Sequence, residues 1–159
     1  MKYRVQQFDI NGNFIRVIGK FGNSSGEFNL PTTIEQDSKG NFFVNERGNE
    51  RIQKFDSNWN PILSWGSKGS GNYQFCHMEH IALDKFDNVY VTDPQSDPGC
   101  SMKPRVIKYN DEGKFITKFG SYGSGLGQFR DPEHLALDSD GNIYVSDRKN
   151  DNIQKFSPS

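Results

Sequence analysis

Two histidines stand at the same place in two closely similar segments, MEHIALD and PEHLALD. His80 follows Glu79 in the first segment, and His134 follows Glu133 in the second. Neutral imidazole nitrogens and carboxylate oxygens are ligands that proteins use for zinc, copper and iron. One prediction is therefore a metal or ligand site built on the two histidines. The alternative is that both rings hydrogen-bond to nearby backbone groups.

Two arginines follow a second kind of recurring segment, which ends in an acidic residue. The acidic residues are Glu46, Asp93 and Asp147, and the arginines are Arg47 and Arg148. Together these charges predict a polar surface that binds an anionic or peptide ligand. The alternative is that each of them forms a salt bridge or a turn cap within the protein.

These residues recur because the chain is built from repeats. The stretch Asp131 to Phe156 contains three short apolar strands, HLALD, IYVSD and NIQKF, with a turn between each pair. Similar stretches begin at Leu30 and at Met78. Apolar residues that alternate with polar ones, broken by Asp-x-x-Gly-Asn turns, are typical of a small antiparallel meander.

The third strand of each unit ends in an aromatic anchor. The anchors are Phe8, Phe55, Tyr109 and Phe156, and they are 47, 54 and 47 residues apart. A fourth strand follows each of the first three anchors. A four-stranded unit with a period in the forties is the signature of a β-propeller blade.

A glycine-rich segment follows each fourth strand: GKFGNSSGEF, GSKGSGNYQF and GSYGSGLGQF. The glycine spacing resembles that of a phosphate-binding loop, but no helix follows that would offer its amide groups to a phosphate. We interpret these segments as connections from one blade to the next.

The repeated pattern P-x-x-[IL]-A-L-D-x-x-G-N-[IV]-Y-V-[ST]-D-x-x-N-x-[RN]-[IV]-Q-x-F resembles the NHL repeat, which builds β-propellers. The resemblance covers essentially the whole chain. It implies an all-β fold in which strand a of each blade lines a central channel and strand d lies outermost. It also implies that His80 and His134 lie near the channel mouth. The family includes scaffolds, RNA binders and metal-dependent lyases, so the fold does not choose among these functions.

Labelled from the channel outward, the strands run c-d, a-b-c-d, a-b-c-d and a-b-c. We therefore predict a single propeller segment of 13 strands, or about three blades. Residues 1–19 form an incomplete blade, 30–66 and 78–120 form two full blades, and 131–159 form strands a to c of the last blade. NHL propellers usually have six blades, so the segment is predicted to be half of a ring. A homodimer or the remainder of a longer chain would close it, because an open arc exposes apolar faces and strand edges.

The two cysteines, Cys76 and Cys100, lack the CxxC spacing of a zinc site. Cys76 precedes strand a of the second full blade, and Cys100 lies in an insertion between strands b and c of that blade. Because both loops emerge on one face of a propeller, we predict a disulfide, which favours an extracytoplasmic location. The alternative is two unlinked thiols, which leaves the location unknown. No catalytic residue is predicted, since the neighbouring His77 points away from Cys76 in a strand.

Peptidyl-hydroxyglycine amidating lyase is similar in using channel histidines on NHL-like blades, where they hold a catalytic zinc. In that enzyme the histidine directly follows a proline, whereas Glu133 stands between Pro132 and His134 in this chain. In an unbroken strand the extra residue would move the histidine to the other face. The resemblance implies, as an alternative function, a metal-dependent lyase or hydrolase with zinc or copper at His80 and His134.

The charge balance disfavours RNA binding, because 19 basic and 20 acidic residues give a net charge of −1 and no basic field. No apolar run reaches membrane-spanning length, and the N-terminus lacks the apolar core of a signal peptide. Whether a leader has been removed stays open.

We therefore predict a non-catalytic ligand- or protein-binding or scaffold module that binds a protein or a small molecule at the channel mouth or loop face. No cofactor is certain. The predicted ligand-binding residues are Arg47, Glu79, His80, Glu133, His134 and Arg148. The residues predicted to be buried between blades are Ile81, Leu83, Val89, Val91, Leu135, Leu137, Ile143 and Val145.

Overall fold

The structure is a computed structural model that describes residues 3–94 and 103–158. Its regular elements are all β-strands. The strands are β1 (Val5–Phe8), β2 (Phe14–Ile18), β3 (Pro31–Gln36), β4 (Phe42–Glu46), β5 (Arg51–Phe55), β6 (Pro61–Trp65), β7 (Ile81–Leu83), β8 (Val89–Asp93), β9 (Arg105–Tyr109), β10 (Phe115–Phe119), β11 (Ser121–Tyr122), β12 (Gln128–Phe129), β13 (Pro132–Leu137), β14 (Ile143–Asp147) and β15 (Asn152–Phe156). Within these two ranges, no helix is long and apolar enough to cross a membrane.

Four antiparallel sheets follow one another along the chain. We call β1–β2 the half-blade, β3–β6 blade 1, β7–β10 blade 2 and β13–β15 blade 3. In each sheet the strands pair with their neighbours in sequence, as in a meander. The short strands β11 and β12 pair in parallel within the connection between blades 2 and 3. This arrangement confirms the predicted all-β propeller segment of about three four-stranded blades.

An aspartate begins the turn between the first two strands of each full blade. In blade 1, the Asp37 Oδ1 atom accepts hydrogen bonds from the backbone amides of Lys39 (3.0 Å) and Asn41 (2.8 Å). The turn then needs a left-handed residue, and Gly40 supplies it with a φ of 84°. Asp87 takes this place in blade 2, with a φ of 64°. The Asp-x-x-Gly-Asn pattern therefore sets where each hairpin reverses.

The core consists of three apolar clusters, one between each pair of adjacent sheets. The cluster between blades 1 and 2 contains Phe43, Ile52, Trp65, Phe75, Met78, Ile81, Val89, Val91, Ile107 and Tyr109. Of the residues predicted to be buried, Leu83 and Leu137 are only half-buried. Each of these two leucines is the last residue of its strand, next to the turn, where the neighbouring blade covers less of the side chain. The other six are buried as predicted.

A buried acidic side chain ends the second strand of blades 1, 2 and 3: Glu46, Asp93 and Asp147. The Asp93 carboxylate accepts hydrogen bonds from the Cys76 amide (2.9 Å), the His77 amide (3.0 Å) and the Arg105 Nη2 atom (3.1 Å). Burial raises the pKa of Asp93, although these donors oppose the increase. The carboxylate fixes the connection that enters the blade, and so it positions the residues that follow on the channel side.

Candidate functional site

The two predicted histidines lie side by side at the start of the innermost strands. The His80 and His134 ring centroids are 5.1 Å apart, with an angle of 52° between the planes. The Thr92 Oγ1 atom accepts a hydrogen bond from the His80 amide (3.1 Å), and the Ser146 Oγ atom accepts one from the His134 amide (3.3 Å). Neighbouring blades therefore bring together side chains that are 54 residues apart in sequence.

A β-bulge corrects one expectation about His134. Pro132 pairs with Asp147 and His134 pairs with Ser146, so Glu133 is the extra residue on this strand. The bulge breaks the alternation of side chains between the two faces of the strand. The extra residue therefore does not move His134 to the other face, as it would in an unbroken strand. Blade 1 has the same irregularity between Pro31 and Thr33.

The environment of His80 favours a neutral ring. Burial lowers the pKa of His80, and the adjacent His134 lowers it further. The His80 Nδ1 atom is buried and has no hydrogen-bond partner in the part of the chain that the structure describes. A neutral imidazole with an unpaired nitrogen can accept a hydrogen bond or bind a metal ion.

Two imidazoles do not complete a catalytic zinc site, which normally has three protein ligands. Between residues 3 and 94 and between 103 and 158, no group of three or more His, Cys, Asp or Glu side chains could hold a metal ion. The residues described thus do not by themselves fit the metal that the resemblance implies, and we derive no chemical step through it.

Arg47 joins blade 1 to blade 2 at this mouth. Its Nη1 atom donates a hydrogen bond to the Glu79 Oε1 atom at 2.9 Å, and the His77 Nε2 atom lies 2.9 Å from the same oxygen. The hydrogen bond with Glu79 raises the pKa of His77, although burial opposes the increase. Burial alone would raise the pKa of Glu79. The hydrogen bonds with His77 and Arg47 outweigh burial, and the pKa of Glu79 is lowered.

Sequence reasoning missed the role of His77, which was considered only as a neighbour of Cys76. His77 precedes Glu79 by two residues, and side chains with that spacing share a face in extended backbone. This spacing was the signal that could have identified the pair.

Arg148 occupies the equivalent position in blade 3 but contacts its own blade. Its Nη2 atom lies 2.7 Å from the Asp131 Oδ2 atom, and its Nε atom lies 2.9 Å from the Glu133 Oε1 atom. The Arg148 side chain is 64% exposed. The structure therefore brings Arg47 to Glu79 and Arg148 to Glu133, as two separate ion pairs at one mouth.

The buried acids Glu46, Asp93 and Asp147 are not the partners of these two arginines, which corrects the idea of one shared polar surface. The Glu46 Oε1 atom lies 2.6 Å from the Arg51 Nε atom, and Asp93 pairs with Arg105. These acids serve the fold rather than an open surface, because the carboxylates are buried and already hydrogen-bonded.

Glu50 is a second residue that the sequence did not single out. Burial, and then the charge of Asp93, raise the pKa of Glu50 to about 7, although the Met78 amide donates a hydrogen bond to it. Its Oε2 atom is buried without a hydrogen-bond partner among the described residues. A raised pKa of this kind makes Glu50 a group that changes charge near neutral pH. Nothing in the sequence near Glu50 indicates this environment, because the groups that surround the carboxyl come from blade 2 and the connection that enters it.

Cys76 is fully buried in the connection that enters blade 2. Its predicted disulfide partner, Cys100, lies outside the described residues, as does most of the insertion that contains it. The disulfide stays a prediction.

Comparisons with known proteins agree with this architecture. A model of the NHL repeat matches residues 129–156. Peptidylglycine alpha-amidating monooxygenase of Rattus norvegicus is 32% identical over 145 residues, which cover 84% of this chain and 14% of that protein. A probable peptidyl-alpha-hydroxyglycine alpha-amidating lyase of Caenorhabditis elegans is 28% identical, over 89% of this chain and 40% of that protein. Human NHL repeat-containing protein 3 is 30% identical, over 57% of this chain and 26% of that protein. The chain thus spans less than half the length of these relatives.

Solved structures are similar in fold. Virginiamycin B lyase from Staphylococcus aureus superposes with a TM-score of 0.60 at 14% identity, over 97% of this chain and 48% of that chain. A protein of unknown function from Bacteroides caccae superposes with a TM-score of 0.61 at 12% identity, over 91% of this chain and 48% of that chain. Residues 129–156 thus match the NHL repeat, and the meander sheets and the solved structures show that the chain has a β-propeller-like fold.

Proposed function

We propose that this chain is a non-catalytic binding module of the NHL propeller type, and that its ligand binds at the channel mouth. The observation that supports this proposal is the pair of partly exposed ion pairs, Arg47 with Glu79 and Arg148 with Glu133. Such pairs hold charged groups at set positions and can exchange hydrogen bonds with a polar ligand.

A peptide segment with a carboxylate is the ligand that these groups suit best. The Arg148 guanidinium is the more accessible of the two, and its planar fork matches a carboxylate. The exposed ring of His134 lies on the neighbouring strand and can accept or donate a hydrogen bond. A small molecule that carries the same groups would be recognised by the same chemistry.

The test begins with peptides selected from a displayed random library against the whole chain. Their affinities are then measured by calorimetry for the parent chain, Arg148→Ala and Lys39→Ala. Lys39 is a matched control, because its side chain is 63% exposed and forms an ion pair with Asp111 at the hairpin turns of the opposite face. We expect Arg148→Ala to weaken binding about tenfold or more, as for a lost charged hydrogen bond. Equal losses in the two variants would contradict binding at the mouth.

A metal-dependent lyase or hydrolase is a second candidate. It is supported by the proximity of His80 and His134, by the unpaired His80 Nδ1 atom, and by relatives that are named as amidating enzymes. Zinc or copper is the metal that two imidazoles favour, but no third ligand lies with them among the described residues.

Metal content separates the two candidates. Elemental analysis of the parent chain and of a His80→Ala, His134→Ala variant should show stoichiometric zinc or copper that the variant loses, if the second candidate is correct. Consumption of a peptidyl-α-hydroxyglycine would then be measured with the metal-loaded chain. A parent chain that takes up no metal after incubation with zinc or copper would contradict this candidate.

We further propose that the segment is half of a six-bladed ring, closed by a second copy or by further sequence. Two equivalent residues support this: Ile34 of blade 1 is 42% exposed, whereas Ile81 of blade 2 is fully buried against blade 1. Light scattering at micromolar concentration should give twice the mass of one chain if a homodimer closes the ring. A stable, folded monomer would contradict the homodimer.

A disulfide between Cys76 and Cys100 is also proposed. The burial of Cys76 beside the base of the insertion supports it, and such a bridge would stabilise the fold by roughly 3 kcal/mol. Intact mass before and after reduction and alkylation tests it. Two cysteines labelled without reduction, in protein from its native source, would contradict it.

A further inference from the structure

The connection between the half-blade and blade 1 carries a motif that the binding function does not use. Asn23, Ser24 and Ser25 form an Asn-x-Ser sequence, and the chain contains no other Asn-x-Ser or Asn-x-Thr. This sequence is the acceptor for N-linked glycosylation, which takes place on surface loops of proteins in the secretory route.

All three residues of the motif are exposed. The loop is held through its backbone, since the Asn23 carbonyl accepts a hydrogen bond from Arg51 Nη1 (2.6 Å) and the Ser24 carbonyl accepts one from Arg51 Nη2 (2.9 Å). The Ser24 amide in turn donates to the Glu27 carboxylate (3.1 Å). The loop conformation is therefore set by groups other than the side chains of Asn23 and Ser25.

The equivalent connection into blade 2 shows that this position does not require asparagine. Ser70 stands where Asn23 stands, and its carbonyl accepts a hydrogen bond from Arg105 Nη1 (3.0 Å) in the same way. Asn72 stands where Ser25 stands. The repeat thus keeps the backbone contact and varies the side chains, and only the first connection combines Asn and Ser at the required spacing.

We propose that Asn23 is an N-glycosylation site. In the reaction, the Asn23 side-chain nitrogen bonds to the anomeric carbon of an oligosaccharide carried on a lipid phosphate or pyrophosphate. The bond between that carbon and the phosphate oxygen breaks, the lipid phosphate leaves with the bonding electron pair, and the amide gives up one proton. Asn23 lies at the same end of blade 1 as the candidate mouth, because its carbonyl contacts Arg51, which begins the strand that follows the turn containing Arg47.

The experiment expresses the whole chain behind a secretion leader in a eukaryotic host and analyses the secreted protein by intact mass and peptide mapping. We expect added hexose and N-acetylhexosamine units on the peptide that contains Asn23. Enzymatic removal of the glycan should leave an aspartate in place of Asn23. The Ser25→Ala variant should lose the whole mass increase, and so should Asn23→Ser, which copies the residue found in the second connection.

A transplanted motif controls for the competence of the host. Ser70→Asn combined with Asn72→Ser builds the same sequence in the equivalent loop of the second connection, and we expect this variant to carry a second glycan. A secreted chain in which the transplanted site is modified and Asn23 is not overturns the proposal.

Discussion

The interface between blades 1 and 2 and the outer face of blade 3 are made from nearly the same sequence, yet they differ in burial. The second residue of the third strand shows this directly. Ile52 of blade 1 and Val106 of blade 2 are fully buried against the next blade, whereas Ile153 of blade 3 is 70% exposed. The local sequence places each side chain on the same face, but only a neighbouring blade can remove it from water.

Charged residues repeat the same comparison. Arg47 and Arg148 are equivalent, but Arg47 crosses to Glu79 of blade 2 while Arg148 folds back to Asp131 of its own blade. Likewise Glu50 has a buried, unpaired oxygen beneath blade 2. Its equivalent Asp151 has the same left-handed backbone, with a φ of 51° against 49°, and is exposed. The energetic role of a repeat residue is therefore decided by the presence of the next blade.

The largest expected effect compares the ion pair of blade 2, in which both side chains are buried, with that of blade 3, in which Arg148 is exposed and Asp131 is buried. Arg105 is 5% exposed and pairs with the fully buried Asp93. Arg105→Ala should lower the free energy of unfolding by about 3–5 kcal/mol, because it leaves a buried carboxylate without its counter-ion. Arg148→Ala should cost about 1 kcal/mol or less, because the guanidinium is 64% exposed and the Lys149 Nζ atom also lies 3.6 Å from the Asp131 Oδ2 atom. Urea unfolding measures both, and equal costs would remove the distinction between the two regions.

A second prediction compares Ile52→Ala with Ile153→Ala. The first should cost about 2–5 kcal/mol, since it opens a cavity between blades 1 and 2. The second should cost less than about 0.5 kcal/mol, as for an exposed surface site. Urea unfolding at several protein concentrations is the measurement. A large, concentration-dependent cost for Ile153→Ala would show instead that a second copy covers this face.

A third prediction concerns the pH dependence that Glu50 confers. Its pKa is about 7 in the folded protein and 4.5 in a model compound, so the folded state binds this proton more tightly. Stability from Glu50 is therefore fully present below about pH 4.5, decreases as pH rises toward 7, and stays low above it. Asp93, His77 and Lys68 are the charged groups that act on this carboxyl.

Replacing Glu50 with Gln should remove that dependence. At pH 8 the Glu50→Gln variant should be more stable than the parent chain by roughly 1–2 kcal/mol, a value reduced for partial exposure of the carboxyl. At pH 4.5 the two should be nearly equal. Thermal unfolding at both pH values measures the difference, with Asp151→Asn at the exposed equivalent turn as the control. A difference that does not change with pH would contradict the assignment.

The smallest expected effect concerns the bridge between blades 1 and 2 at the mouth. A double-mutant cycle of Arg47→Ala and Glu79→Gln should give a coupling free energy of roughly 0.5–1 kcal/mol, because both side chains are partly exposed. The corresponding cycle for Arg148 and Glu133 should give less, because both of those side chains are more exposed. A larger coupling free energy for Arg148 and Glu133 than for Arg47 and Glu79 would contradict this prediction.

The sequence by itself determined the repeat, the four-stranded unit and the position of each turn. These features depend on short-range interactions: Asp37 needs only the amides two and four residues later, and Gly40 needs only its own φ. The same local rules identified the apolar face of each strand, so most of the core residues could be named in advance. They also placed His80 and His134 in equivalent positions, which is why the structure brings the two rings together.

Only the tertiary structure decided which partners those positions meet. Glu79 pairs with an arginine 32 residues earlier, the Glu50 Oε2 atom is buried beside the following blade, and a bulge at Glu133 changes the course of the strand. None of these outcomes is encoded in a local pattern. Arg47 and Arg148 follow equivalent strands, and yet they form ion pairs with residues at different positions of the repeat. The physical reason is that burial, dielectric environment and ion pairing in a propeller arise between blades, where residues distant in sequence exclude water together.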